Sequence, residues 1–113
     1  MLKKENRLKK RKEFGFIYKN GTRVFSKNIT MVKIKSKYPI PRIGVSVSNK
    51  IGKAVVRNKI KRRMRAILFD YIKNIRNCNI IFVAQPNIVN ITYQEMKNEI
   101  KYLLKKGSIC EII

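Results

Sequence analysis

The sequence predicts an α+β (α/β sandwich) fold: a small mixed sheet of about four strands with helices packed on it. Three observations lead there. Residues 42–48 alternate, with Ile43, Val45 and Val47 on one side and Gly44, Ser46 and Ser48 on the other. That is the period of a strand with one buried face. Residues 80–84, Ile-Ile-Phe-Val-Ala, form a short apolar run broken by Pro86, as in a strand buried on both faces. Between them a long segment, residues 53–75, carries apolar residues at helical spacing. Strands and helices in this order call for helices layered on a sheet.

The remaining elements follow along the chain. Residues 1–8 read as a flexible basic arm. A first helix is expected over residues 9–19, with Phe14, Ile17 and Tyr18 on one face, ending at Asn20-Gly21 as a left-handed stop. Residues 23–34 are rich in Val, Phe, Ile and Thr and read as strand, with room for a bend into a hairpin. Tyr38-Pro39-Ile40-Pro41 is a turn, because two prolines forbid regular pairing. Thr92-Tyr93-Gln94-Glu95 is a capping box. It opens a last helix carrying Met96, Ile100, Leu103 and Leu104 and stopping at Gly107. The full order is α-β-β-β-α-β-α. No repeat or Pro/Ser/Gly linker divides the chain, so residues 1–113 are expected to be one domain.

Charge narrows the function. Lys and Arg number 28 against 6 Asp and Glu, a net charge of +22, yet 44% of residues are hydrophobic. A chain able to fold with this charge needs a polyanionic partner, nucleic acid first. A membrane surface competes less well, since the cations sit among Asn, Ser and Gly rather than opposite a stripe of Trp or Phe. Met1-Leu2 leads straight into polar residues with no apolar signal segment, and no run is long enough to span a bilayer. Cys78 and Cys110 have no His or neighbouring Cys to complete a metal site. Both read as reduced thiols in a cytoplasmic protein.

The cations concentrate in one helix. Seven of the thirteen residues from Lys53 to Arg65 are Lys or Arg, and no carboxylate occurs anywhere from Phe14 to Phe69. At about 100° per residue, Arg57, Lys61 and Arg65 form one row, with Asn58 and Arg62 beside it; Val56, Ile60, Met64 and Ile67 fall opposite. Such a ridge repels itself unless a polyanion neutralises it.

Catalytic groups are lacking. There is no His for proton exchange near neutral pH, and the carboxylates Glu5, Glu13, Asp70, Glu95, Glu99 and Glu111 are not clustered for metals. Glu95 and Glu99 read as an exposed helix face paired with nearby Lys. Lys50-Ile51-Gly52-Lys53 lacks P-loop spacing. The chain reads as a binder. Phe14 and Tyr18, one turn apart among Lys10, Arg11 and Lys19, suit single-stranded RNA through stacking and phosphate contact; core packing is the competing account of the pair.

Arg57-Asn58-Lys59-Ile60-Lys61-Arg62 resembles the RNR motif of the bacterial ribonuclease P protein family. The likeness extends upstream through Arg42-Ile43-Gly44-Val45-Ser46-Val47-Ser48-Asn49-Lys50-Ile51-Gly52-Lys53-Ala54-Val55, and to Arg7–Phe14, Tyr18–Gly21 and Ile80–Ala84 with Pro86, covering about residues 7–104. The resemblance implies an endoribonuclease, a ribonucleoprotein that removes the 5′ leader of precursor tRNA. Its RNA subunit would hold the catalytic Mg²⁺, with no metal bound by this chain and no membrane partner. Lys53, Arg57, Asn58, Lys59, Lys61, Arg62 and Arg65 would contact RNA. Phe14, Tyr18, Arg57, Lys61 and Arg65 would line or border a leader cleft. Arg7, Lys9, Lys10 and Arg11 would form a basic N-terminal arm. Some members carry an aromatic where this chain has Val32. The family also implies a left-handed β-α-β crossover, against the general preference for right-handed ones. The alternative from charge and size is a small ribosomal protein with a structural role on rRNA; a DNA-binding protein ranks third.

Overall fold

A computed structural model describes residues 4–75 and 77–107. Four strands, β1 (Thr22–Phe25), β2 (Ile29–Lys35), β3 (Arg42–Ser46) and β4 (Cys78–Ala84), form one sheet in the order β1-β2-β4-β3. β2 pairs antiparallel with β1 and β4, while β3 runs parallel to β4. The helices are α1 (Arg11–Asn20), α2 (Ala54–Tyr71) and α3 (Tyr93–Lys106), and α2 is the crossover between the parallel strands.

The expected order is found, with shifted boundaries. Residues 23–34 do bend into a hairpin, turning at 26–28. The expected strand 42–48 stops at Ser46, and Ser48 instead caps a short turn by accepting from the Lys50 N–H. The long helix ends at Tyr71 and tightens into a 3-10 turn, Ile72–Asn74.

The sheet has a core on each face. On one side Ile60, Met64, Ile67 and Leu68 of α2, with Met96, Ile100, Leu103 and Leu104 of α3, cover Met31, Ile43, Val45, Ile80 and Phe82. On the other, Leu8 and Ile17 cover Val32 and Ile81, with Phe14 and Tyr18 half-buried against them. β4 lies inside the sheet and feeds both cores, so its sequence is apolar without alternation.

Three expectations are corrected. Residues 4–8 of the supposed flexible arm are seated on β3, while residues 1–3 lie outside the described residues. Asn6 is buried and donates Nδ2–H to the Pro41 carbonyl at 2.9 Å, Arg7 bridges Ile43, and the Leu8 N–H donates to the Ile43 carbonyl at 3.0 Å. β3 is an edge strand with unpaired backbone groups, and this segment satisfies part of them.

Gly21 is extended (φ −81°) and not left-handed. A Cβ there would lie 2.6 Å from the Ile17 carbonyl oxygen and 2.8 Å from that of Lys33, so close approach of helix to sheet demands glycine.

Glu99 is not an exposed partner of Lys. It accepts from the Asn28 backbone N–H and side-chain Nδ2–H at 2.7 Å each and from the Ser26 hydroxyl at 2.6 Å. The carboxylate of α3 thus clamps the β1–β2 turn. Of the cysteines, Cys78 is buried and Cys110 lies outside the described residues.

Candidate nucleic-acid interface

Strand register divides the α1 side of the sheet into three rows. Gly44, Ile81, Val32 and Arg23 are successive partners across the four strands. α1 straddles this row: the Phe14 ring lies on Gly44, where a Cβ would come 2.5 Å from its Cζ, and Ile17 packs on Val32 and Ile81. Ser46, Val83, Thr30 and Phe25 form the next row on one side. Arg42, Asn79 and Ile34 form the next row on the other.

Helical geometry decides which flank faces which row. With Ile17 inward, Phe14 and Tyr18 project to one side of α1, and Lys12, Glu13 and Phe16 to the other. Glu13 forms an ion pair with Arg42, which assigns the second flank to the Arg42 row. Phe14 and Tyr18 therefore overhang the row Ser46–Val83–Thr30–Phe25. No helix covers that row fully: Ser46 and Val83 are half-buried and Phe25 is 61% exposed. Thr30 is buried within the row, and its Oγ1 accepts from Gln85 Nε2–H at 3.0 Å. Val32, at the position aromatic in some relatives, is 1% exposed beneath α1.

The basic ridge lies on α2, beyond the opposite face of the sheet. Lys61 and Arg65 line an open groove of about 490 Å³ with Val55, Asn58 and Arg62. Val55 is 79% exposed. Lys53 occupies the N-cap without a side-chain acceptor, and the first turn of α2 has no acid. Its leading N–H groups thus remain available to an anion.

Arg57 is tied down. Its Nε–H donates to the Gly52 carbonyl at 3.1 Å and a further N–H to Asn49 Oδ1. Lys59 and Arg62 are exposed. Arg65 is depressed below the ordinary arginine value, first by burial and then by the nearby Arg7 guanidinium. Like charges held together in a part-buried setting favour a bound anion.

The five residues expected to line or border one cleft come from two helices packed on opposite faces of the sheet. Phe14 and Tyr18 belong to the α1 face. Arg57, Lys61 and Arg65 belong to α2, and Arg7, bridged to Ile43 at the β3 edge, lies near Arg65 and links the two sides. Lys9, Lys10 and Arg11 are exposed beside Arg7 at the start of α1. Sequence reasoning missed Phe25, Thr30 and Val83, whose shared row depends on register. The small residues Gly44 and Ser46 were visible as the polar side of the β3 alternation.

The Ribonuclease P family model matches residues 2–108. The chain is 36% identical over 111 residues to a ribonuclease P protein component of Clostridium botulinum, covering 94% of this chain and 97% of that protein. It is 37% identical over 112 residues to one from Caldanaerobacter subterraneus, covering 98% and 97%. The structure superposes on the Staphylococcus aureus RNase P protein with a TM-score of 0.89 at 32% identity, over 96% of this chain and 100% of that one. For the Thermotoga maritima RNase P protein the TM-score is 0.82 at 26% identity, over 88% and 96%. With the R-N-x-I-K-R helix, the four-stranded mixed sheet and these full-length likenesses together, the chain belongs to the ribonuclease P protein family.

Proposed function

We propose that this ribonuclease P protein component binds the catalytic RNA subunit through the α2 ridge and holds the single-stranded 5′ leader of precursor tRNA on the open row beneath Phe14 and Tyr18. Its role in endonucleolytic leader removal is then positioning. The observation that carries this is the Phe14 ring seated on Gly44 at the edge of a row with small side chains. A base can stack at the aromatic edge while its backbone passes over the half-buried Ser46 and Val83. Phe25 supplies a further ring at the far end of the row. No structural feature favours the ribosomal alternative.

The family's Mg²⁺ does not suit this chain's donors. Among the described residues no three His, Cys, Asp or Glu gather in a way that could hold a metal ion. Glu13 pairs with Arg42, Glu95 caps α3 and Glu99 clamps the hairpin. We assign the catalytic metals to the RNA subunit, as the resemblance to the family implies. We place the work in the cytoplasm; among the described residues no helix is long and apolar enough to cross a membrane.

Reconstitution tests the assignment. Rigorously RNA-free protein with precursor tRNA and Mg²⁺ is expected to leave the substrate intact, and adding the RNA subunit to give 5′ cleavage. Specific cleavage by the protein alone would overturn the division of roles.

A further inference from the structure

The row on the other flank of α1 also forms a site. Lys12, Phe16 and Ile17 of α1, the Glu13–Arg42 pair and Asn79 of β4 enclose an open pocket of about 340 Å³. Its volume falls within the range of small-ligand sites. Phe16 is 60% exposed, so its ring contributes little to the core. The Arg42 side chain remains 40% exposed despite its ion pair with Glu13, and a guanidinium has donors to spare beyond one carboxylate. The Asn79 amide oxygen is buried without a hydrogen-bond partner. That is unusual for a buried polar atom. No bond to this oxygen holds the amide in one orientation, so rotation can turn either a donor or an acceptor towards a ligand. A second depression shares Glu13 and Arg42 and continues the surface past Arg7, Lys9 and Lys10.

We propose that this pocket binds one nucleotide of a single-stranded RNA, with its base stacked on Phe16 and read by the Asn79 amide, and its phosphates on Lys12 and Arg42. The strand then continues along the Arg7–Lys10 cations. A free aromatic ring beside an adaptable amide selects a base, whereas an acidic peptide would need only the cations. The site is separate from the row beneath Phe14 and Tyr18, because α1 stands between the two. The inference rests on the RNA-binding reading above and extends it to a second track.

The test uses the full chain and three probes: hexa-adenylate, inorganic polyphosphate of similar charge and poly-glutamate. Phe16→Ala should weaken hexa-adenylate about five-fold or more, the effect of losing one stacked base, and leave polyphosphate and poly-glutamate unchanged. The same loss should appear when Phe14 and Tyr18 are already alanine. Phe16→Tyr should retain binding, and the Asn79 side-chain amide resonances of the wild-type protein should shift on adding hexa-adenylate.

Unchanged hexa-adenylate affinity, an equal loss for all three probes, or a loss that vanishes in the Phe14/Tyr18 background would overturn the second site. If Phe16→Ala melts early, the Asn79 resonances decide, and their failure to shift would overturn it as well. Leader-dependent processing with the RNA subunit, read through Phe14 and Tyr18, fails or succeeds independently of these outcomes.

Discussion

At Gly44 the absence of a side chain seats an aromatic ring. The Phe14 Cζ occupies the space where any Cβ would intrude, at 2.5 Å, so Gly44→Ala must push the ring away or shift β3. Overpacking of this kind costs about 1–3 kcal/mol. We expect Gly44→Ala to weaken binding of a precursor with a long leader while affecting mature tRNA little, measured as affinity beside thermal melting. Phe14→Ala removes the ring itself. Because Phe14 is only half-buried, its loss should destabilise the protein by less than the roughly 3–5 kcal/mol of a fully buried Phe. It should lower long-leader affinity about ten-fold. A strongly destabilised Phe14→Ala protein with no leader-specific loss would return Phe14 to the core. The sequence showed the Phe14–Tyr18 pair but not which row it faces, because that depends on strand register and on Ile17 pointing inward.

At the scale of elements, two carboxylates hold the ends of structure. Glu95 accepts from the Thr92 N–H at 2.9 Å while its own N–H donates to Thr92 Oγ1 at 3.1 Å. The Thr92 backbone N–H, and then its side chain, hold the Glu95 carboxyl below the usual carboxylate range. A depressed carboxyl stabilises the fold above its unfolded value, about 4.3, and loses that contribution as pH falls through the folded value. The stability difference between wild type and Glu95→Gln should therefore shrink as pH drops below about 4. A pH-independent difference would dissociate the charge from the cap. Glu99 does comparable work across 71 residues of chain, binding Asn28 at the hairpin turn. Glu99→Ala leaves the buried Asn28 donors unpaired and should cost about 1.5–3 kcal/mol, read by denaturant unfolding. The Thr92–Glu95 cap was legible in the sequence because its partners are three residues apart. The Glu99 clamp was not, since nothing local links α3 to the β1–β2 turn.

Across the whole molecule, opposed demands are divided between the two sides of the sheet. The larger core is built from α2 and α3, and the outer surface of α2 carries the ridge. The smaller core beneath α1 leaves rows of the sheet open. Arg7 and Arg65 come together across the β3 edge, adding repulsion that a bound polyanion would relieve. If the ridge and the N-terminal segment neutralise roughly six to eight phosphates, affinity should fall by about three or more orders of magnitude between 50 and 200 mM monovalent salt. A nearly flat dependence would mean that these cations are only solvated.

The sequence by itself determined the fold class, the element order and the family, and its charge pointed to a polyanionic partner. Each of these is written in local periodicity, in composition or in a contiguous motif such as Arg57–Arg62. Tertiary structure alone decided that residues 4–8 cover the β3 edge, that Gly21 serves close packing and not a left-handed turn, and that Phe14 rests on Gly44 at the α1 face of the sheet. The physical reason is range. A helical face or a cap is set by neighbours within a turn, whereas an edge to be covered, a helix resting on a glycine or a row shared by four strands exists only once distant segments have packed.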